Sequence, residues 1–178
     1  MIVGLGELAG RAAEMRRVFD RSFAAPARAD DSGSVDFIAV RLAGDRYAIR
    51  VGEIAGLFLD IKVTPCPSPV RELRGIATFR GAMLPVYDLA ALAGYPPVSD
   101  LRWLVTATGE PVALAFDAFE SHFRVSPDAV ASGQDSIRNG LVREVALGSD
   151  SAWPIIDIPS VVAAIKQRAS TISAQKEQ

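Results

Sequence analysis

The sequence predicts a mainly β chain organised as two related small barrels, over residues 36–98 and 99–165. Two observations carry that prediction. From Asp36 onward, apolar residues alternate with period two in short runs bounded by Gly or Pro, the pattern of half-buried strands. A whole unit also recurs: Leu84-Pro85-Val86-Tyr87-Asp88-Leu89 returns as Trp153-Pro154-Ile155-Ile156-Asp157-Ile158. Each copy follows a Gly and an apolar residue (Gly75-Ile76, Gly140-Leu141) and precedes a short apolar helical run, Ala90 to Ala93 or Val161 to Ile165. The stretch Tyr47 to Ile54 likewise parallels Val112 to Phe119. Self-similarity over this length marks a duplicated structural unit.

In chain order, residues 1–23 read as an amphipathic helix. Leu5, Leu8, Ala12, Met15 and Phe19 recur at spacings of three and four, with Arg11, Glu14, Arg16 and Arg17 elsewhere on the wheel. Two heptads are too few for a coiled coil, so the helix either lies on the protein's own body or docks a partner. Residues 24–35 are small, polar and broken by Pro26 and Gly33, as a linker is. Ile38, Val40 and Leu42 then form one arm of a hairpin, Gly44-Asp45 the turn, and Tyr47, Ile49 and Val51 the return. A second hairpin joins Trp103–Thr106 to Val112–Phe116 around Thr108-Gly109-Glu110.

Asp88 is placed to cap a helical turn over Leu89–Ala93, which Gly94 and Pro96-Pro97 stop. Asp157 is placed to do the same, with Pro159 tolerated in the first turn. Both aspartates therefore read as structural. Pro85 and Pro154 donate no backbone hydrogen bond, so their strands should be edges or carry bulges. A short C-terminal helix ends near residue 165, and residues 166–178 read as a polar tail.

Composition excludes several classes. A net charge of −2 offers no basic footprint for nucleic acid. A single cysteine, Cys66, rules out a disulfide within the chain and suits a reducing compartment. No apolar run approaches the ~18–20 residues of a membrane span, and the N-terminus lacks the basic-then-apolar order of a signal peptide. A soluble, intracellular, globular protein is expected. One His, His122, and one Cys build neither a Cys/His pair nor a His-rich metal site. His122 reads as a hydrogen-bonded imidazole on a strand, and Cys66, between Pro65 and Pro67, as a loop thiol. Gly4, Gly6 and Gly10 follow no strand and lack the Lys-Ser/Thr of a phosphate loop. The expectation is binding without turnover: no catalytic residue, no metal, no cofactor and no enzyme.

The segment RELRGIATFRGAMLPVYDLAALAG resembles the signature hairpin of the CheW-like domain. Gly75, Arg80, Gly81, Pro85, Val86, Asp88 and Leu89 match its pattern, and the likeness extends from Phe37 to Ile165. The resemblance implies two interlocked, SH3-like, five-stranded β-barrels around a shared core, here with an added N-terminal helix and a short C-terminal one. It implies a non-enzymatic adaptor in chemosensory signal transduction. Its partners would be the cytoplasmic domain of a methyl-accepting chemoreceptor and the regulatory domain of a CheA-type histidine kinase. Such a protein is recruited to membrane-associated receptor arrays without inserting into the membrane. Carried over by position, Ile54, Gly75 and Arg80 are the receptor-binding residues, with Gly75 allowing close approach. Gly81, Pro85, Asp88, Pro154 and Asp157 are the structural motif.

Some positions depart from the family pattern. Gly56 stands where an acidic partner for the hairpin Arg is usual, which leaves Glu53 or Glu72 to substitute. Thr78-Phe79 replaces Asn-Leu, and Ala113 replaces a common Gly. Leu57 and Phe58 would make the groove between the barrels more apolar if they face outward. The alternative reading is a diverged scaffold of a pilus or other chemosensory-like assembly, docking through its N-terminal helix.

Overall fold

The computed structural model describes residues 33–97, 101–137, 139–148 and 151–176. The predicted helix over 1–23 and most of the linker lie outside the described residues. Eleven strands are present among them: β1 (Val35–Leu42), β2 (Asp45–Arg50), β3 (Ile54–Leu59), β4 (Leu73–Phe79), β5 (Ala82–Asp88), β6 (Trp103–Ala107), β7 (Ala113–Phe116), β8 (Ala118–Val125), β9 (Val130–Ile137), β10 (Val142–Leu147) and β11 (Ala152–Ile156). Two α-helices follow the repeated motif, α1 (Leu89–Leu92) and α2 (Ile158–Lys176).

The strands form a six-stranded sheet, β8-β1-β2-β11-β10-β9, and a five-stranded sheet, β3-β6-β7-β5-β4. The protein is therefore mainly β in two sheets, although one of them carries a sixth strand. The duplication is visible, but the sheets do not divide the chain near residue 98. Each sheet combines a hairpin from one repeat with a hairpin from the other. β2 pairs in parallel with β11, through Ile155–Ala48 and Ile156–Ile49, and β5 pairs in parallel with β7, through Val86–Ala113. The reason lies at Val51–Glu53, a 3-10 turn that takes the chain out of the first sheet after β2. The open side of β2 is then covered by β11 from the far end of the sequence, and β3 joins β6 in the other sheet.

Burial follows the same exchange. The largest cluster joins Leu42 and Ile49 of one sheet to Val105, Leu114 and Phe116 of the other, with Leu89, Leu92, Ile158 and Val161 of the helices. Each sheet also encloses a smaller cluster, one around Phe79, Val86 and Leu104 and one around Phe37, Ala48 and Ile155. Leu57 packs on the shared cluster, and Phe58 packs on the five-stranded sheet's own cluster, its ring edge-on to Phe79 at 5.0 Å. Neither side chain is given over to an outward face, because both find apolar partners inside.

Pro85 and Pro154 lie in internal strands, not at sheet edges, and the expected bulge stands beside each in its antiparallel ladder, between Leu73 and Gly75 and between Val142 and Glu144. Each sits one residue before its strand's parallel pairing begins, at Val86 and at Ile155, so no ladder partner waits for the missing N–H. Asp88 Oδ1 accepts the Ala91 N–H at 3.0 Å, and Asp157 Oδ2 accepts the Ser160 N–H at 2.9 Å, so both cap their helices. Helix α2 does not stop near residue 165 but continues to Lys176, which makes most of the expected tail helical. Apolar periodicity ends at Ile165, yet ion pairs from Lys166 to Glu110 and from Arg168 to Glu72 hold the next turn onto the body.

Candidate functional site

The β4–β5 hairpin closes through a two-residue turn, Arg80-Gly81, between paired Phe79 and Ala82. Both turn residues have positive φ, 47° and 88°, as a turn matching the strand twist requires. The same device at Ala43-Gly44 joins β1 to β2, one residue earlier than the sequence suggests. Positive φ is costly for a residue with a Cβ, by about 1–2 kcal/mol. Arg80 thus occupies a position that a glycine would fill more easily. Its guanidinium is exposed and has no hydrogen-bond or ionic partner among the described residues. Beside it, Met83 is 75 % exposed and stands opposite exposed Thr78. A cation and a large apolar side chain are held outward together on a rigid hairpin end.

Neither proposed substitute acid reaches Arg80. The Glu53 side chain accepts from Arg50 at 3.3 Å and from the Ile158 N–H at 2.9 Å. Glu72 pairs with Arg168 at 2.5 Å. Ile54 begins β3, opposite Ala107, and is half-buried against the shared core. By register it lies at the same end of the five-stranded sheet as the Arg80 turn, with β6, β7 and β5 between their strands. Gly75 has φ 147°, and a Cβ there would lie 2.1 Å from the Thr64 carbonyl oxygen. The close approach that Gly75 permits is therefore by the chain's own loop, which pairs Thr64 with Ile76.

Next to Ile54 lies a groove of about 480 Å³ over the crossover between the sheets. Gly52 and Glu53 form one wall, Ala107 and Thr108 another, and Ile158 and Val162 of α2 the floor. A Lys166–Glu110 ion pair at 2.7 Å stands at its rim. Sequence reasoning named Glu53 only as a stand-in partner for Arg80 and missed its place in this groove. Burial pushes its carboxyl above the ordinary value near 4.5, against the opposing pull of the Ile158 N–H and the Arg50 guanidinium. Its partners are 105 positions away in one case and on the preceding strand in the other, so no local motif announces it.

Among the described residues, groups suited to chemistry do not converge. No three His, Cys, Asp or Glu residues could share a metal ion among the described residues. His122 is bonded to Asp36 at 2.8 Å on an exposed strand face, and Cys66 is a half-buried free thiol. No helix among the described residues is long and apolar enough to cross a membrane.

Against this geometry, a family model of the CheW-like domain matches residues 36–166. The chain belongs to the CheW-like domain family. The structure is also similar to that of the scaffolding protein TtCheW from Thermoanaerobacter tengcongensis, with a TM-score of 0.63 and 19 % identity. That match covers 69 % of this chain and 88 % of TtCheW. No curated protein matches the sequence. The CheW-like portion ends at residue 166, so the last ten residues of α2 are an extension beyond it.

Proposed function

We propose that this CheW-like protein is a non-enzymatic adaptor that couples the cytoplasmic tip of a methyl-accepting chemoreceptor to the regulatory domain of a CheA-type histidine kinase. It would work in the cytoplasm, at receptor arrays. The observation that carries this reading is the β4–β5 hairpin end, where Arg80 and Met83 face solvent and the cation has no partner among the described residues. Arg and Met are enriched at protein interfaces, and a guanidinium offers a fixed fork of donors. Ile54 and Arg80 would contact the receptor from one end of the five-stranded sheet, while Gly75 would act there by seating the Thr64 loop beneath the hairpin. Individual contacts of this kind can be weak, because linked sites in an array raise avidity by ~10²–10⁴.

The test is quantitative binding of the purified protein to two baits from the same cell, a receptor cytoplasmic hairpin and the kinase regulatory domain. Binding to both is expected. Binding to the kinase domain alone would reject the receptor side of the proposal, and binding to neither by a folded sample would reject it altogether.

A further inference from the structure

Helix α2 runs ten residues past the matched family segment, and its attachment to the body changes there. Up to Ile165 it is held by burial, with Val161, Val162 and Ile165 packed in the shared cluster. From Lys166 to Thr171 every residue is exposed except half-buried Arg168. Two ion pairs reach from this stretch to the strands. Lys166 Nζ meets Glu110 Oε1 at 2.7 Å on the β6–β7 turn, and Arg168 Nη1 meets Glu72 Oε1 at 2.5 Å just ahead of β4.

Each pair spans a hollow. A cleft of about 370 Å³ lies between Arg168 and Thr171 on the helix and Pro69, Val70 and Glu72 on the loop before β4. Arg71 lines the same cleft, so Glu72 holds Arg168 there against a like charge. The Lys166–Glu110 pair stands across the rim of the groove over the crossover. The helix is also soft at this point. The Ser170 and Thr171 hydroxyls donate to the Lys166 and Gln167 carbonyls at 3.0 Å, a back-bonding that slightly weakens a helix. Short polar helical ends owe their form mainly to packing, and exposed ion pairs are individually weak and screened by salt.

We propose that α2 beyond Ile165 is an ionic strap, closed over the loop before β4 at low ionic strength and released as salt screens its two ion pairs. Release lays Val70 open and frees one side of the groove beside Ile54. The sheets need not change, because the buried part of the helix ends at Ile165. The strap consists of α2 and the acids it meets, so it stands or falls independently of the adaptor reading.

Hydrogen exchange of the full-length protein tests this, read by mass spectrometry on peptides from residues 166–176 and, for reference, from β1. Raising sodium chloride from about 0.1 M to about 1 M shortens the Debye length from ~10 to ~3 Å. Exchange in the strap should quicken about fivefold, as loss of two weak surface pairs implies, with β1 unchanged. The double variant Glu72→Gln, Glu110→Gln should exchange fast already at low salt and respond little to more. Glu72→Arg should also open the strap, and adding Arg168→Glu should restore part of the lost protection. Salt-indifferent exchange in the parent, full protection in the double glutamine variant, or a charge swap no better protected than Glu72→Arg would each overturn the proposal. Where a variant's β1 amides also exchange faster, its fold is compromised, and the salt response of the parent alone decides.

Discussion

Gly75 runs against Thr64 so closely that a Cβ at residue 75 would sit 2.1 Å from the Thr64 carbonyl oxygen. The atom blocking the way is backbone, held by hydrogen bonds in both directions between Thr64 and Ile76. At φ 147° the conformation itself also disfavours any side chain. Gly75→Ala should therefore destabilise the fold by about 3 kcal/mol, through strain and a displaced loop. Urea unfolding would measure this. An unchanged midpoint would mean that the loop yields freely.

Arg80 invites the opposite experiment. Replacing it with glycine relieves an L-residue held at φ 47°. Arg80→Gly should therefore raise stability by about 0.5–1 kcal/mol while weakening receptor binding by about 1–2 kcal/mol. Kinase binding should be unaffected. A gain in stability with no loss of receptor affinity would leave Arg80 as an ordinary solvated turn residue.

Glu53 links folding to pH. Its carboxyl titrates above its ordinary value in the folded protein because it is buried, so the native state holds that proton to higher pH than the unfolded chain does. The sign follows: its contribution is fully present below about pH 4.5 and is lost as pH rises through the raised folded value. Glu53→Gln removes this titration. The stability difference should move in the variant's favour as pH rises through that window, by at most about 1.4 kcal/mol per pH unit. Paired denaturation series at several pH values would reveal a parallel offset instead if Glu53 did not titrate there.

The two caps should differ in weight. Asp157 is half-buried, and Asp157→Ala should cost about 1 kcal/mol, the usual value of an N-cap. Asp88 is fully buried and also faces Arg74, so Asp88→Ala should cost more, about 2–3 kcal/mol. Thermal or urea unfolding of both variants would settle the order. A smaller loss at Asp88 would show that its unbonded Oδ2 already costs what the cap contributes.

What could be read from the sequence was what neighbours in the chain decide. Period-two alternation located β1, β2, β6 and β7, the recurring Pro-x-x-Asp unit exposed the duplication, and Asp88 and Asp157 were recognisable as caps because their targets lie three residues on. The exchange of hairpins between sheets was not readable. Ala48 and Ile155 meet across more than a hundred residues, and alternation is the same whichever strand lies alongside. The length of α2 was missed because Lys166 and Arg168 hold it by charge to distant acids, without the apolar stripe that identifies a helix. At the candidate site, the Arg-Gly turn could be read locally. Gly75 could not be assigned correctly, because a glycine that admits a partner and one that admits the chain's own loop look alike in one dimension.

The exchanged hairpins bear on how the molecule is made. During synthesis β2 emerges early, but the strand that covers its open side is β11, at residues 152–156. Until residues 152–156 have left the ribosome, the six-stranded sheet lacks its middle, and the nascent β1–β2 hairpin presents an unpaired edge. Closure must therefore come late and engage both repeats at once, at the slow pace expected of pairing between sequence-distant strands. Two fragments produced by cutting between the repeats would each be incomplete, and only their association would restore either sheet.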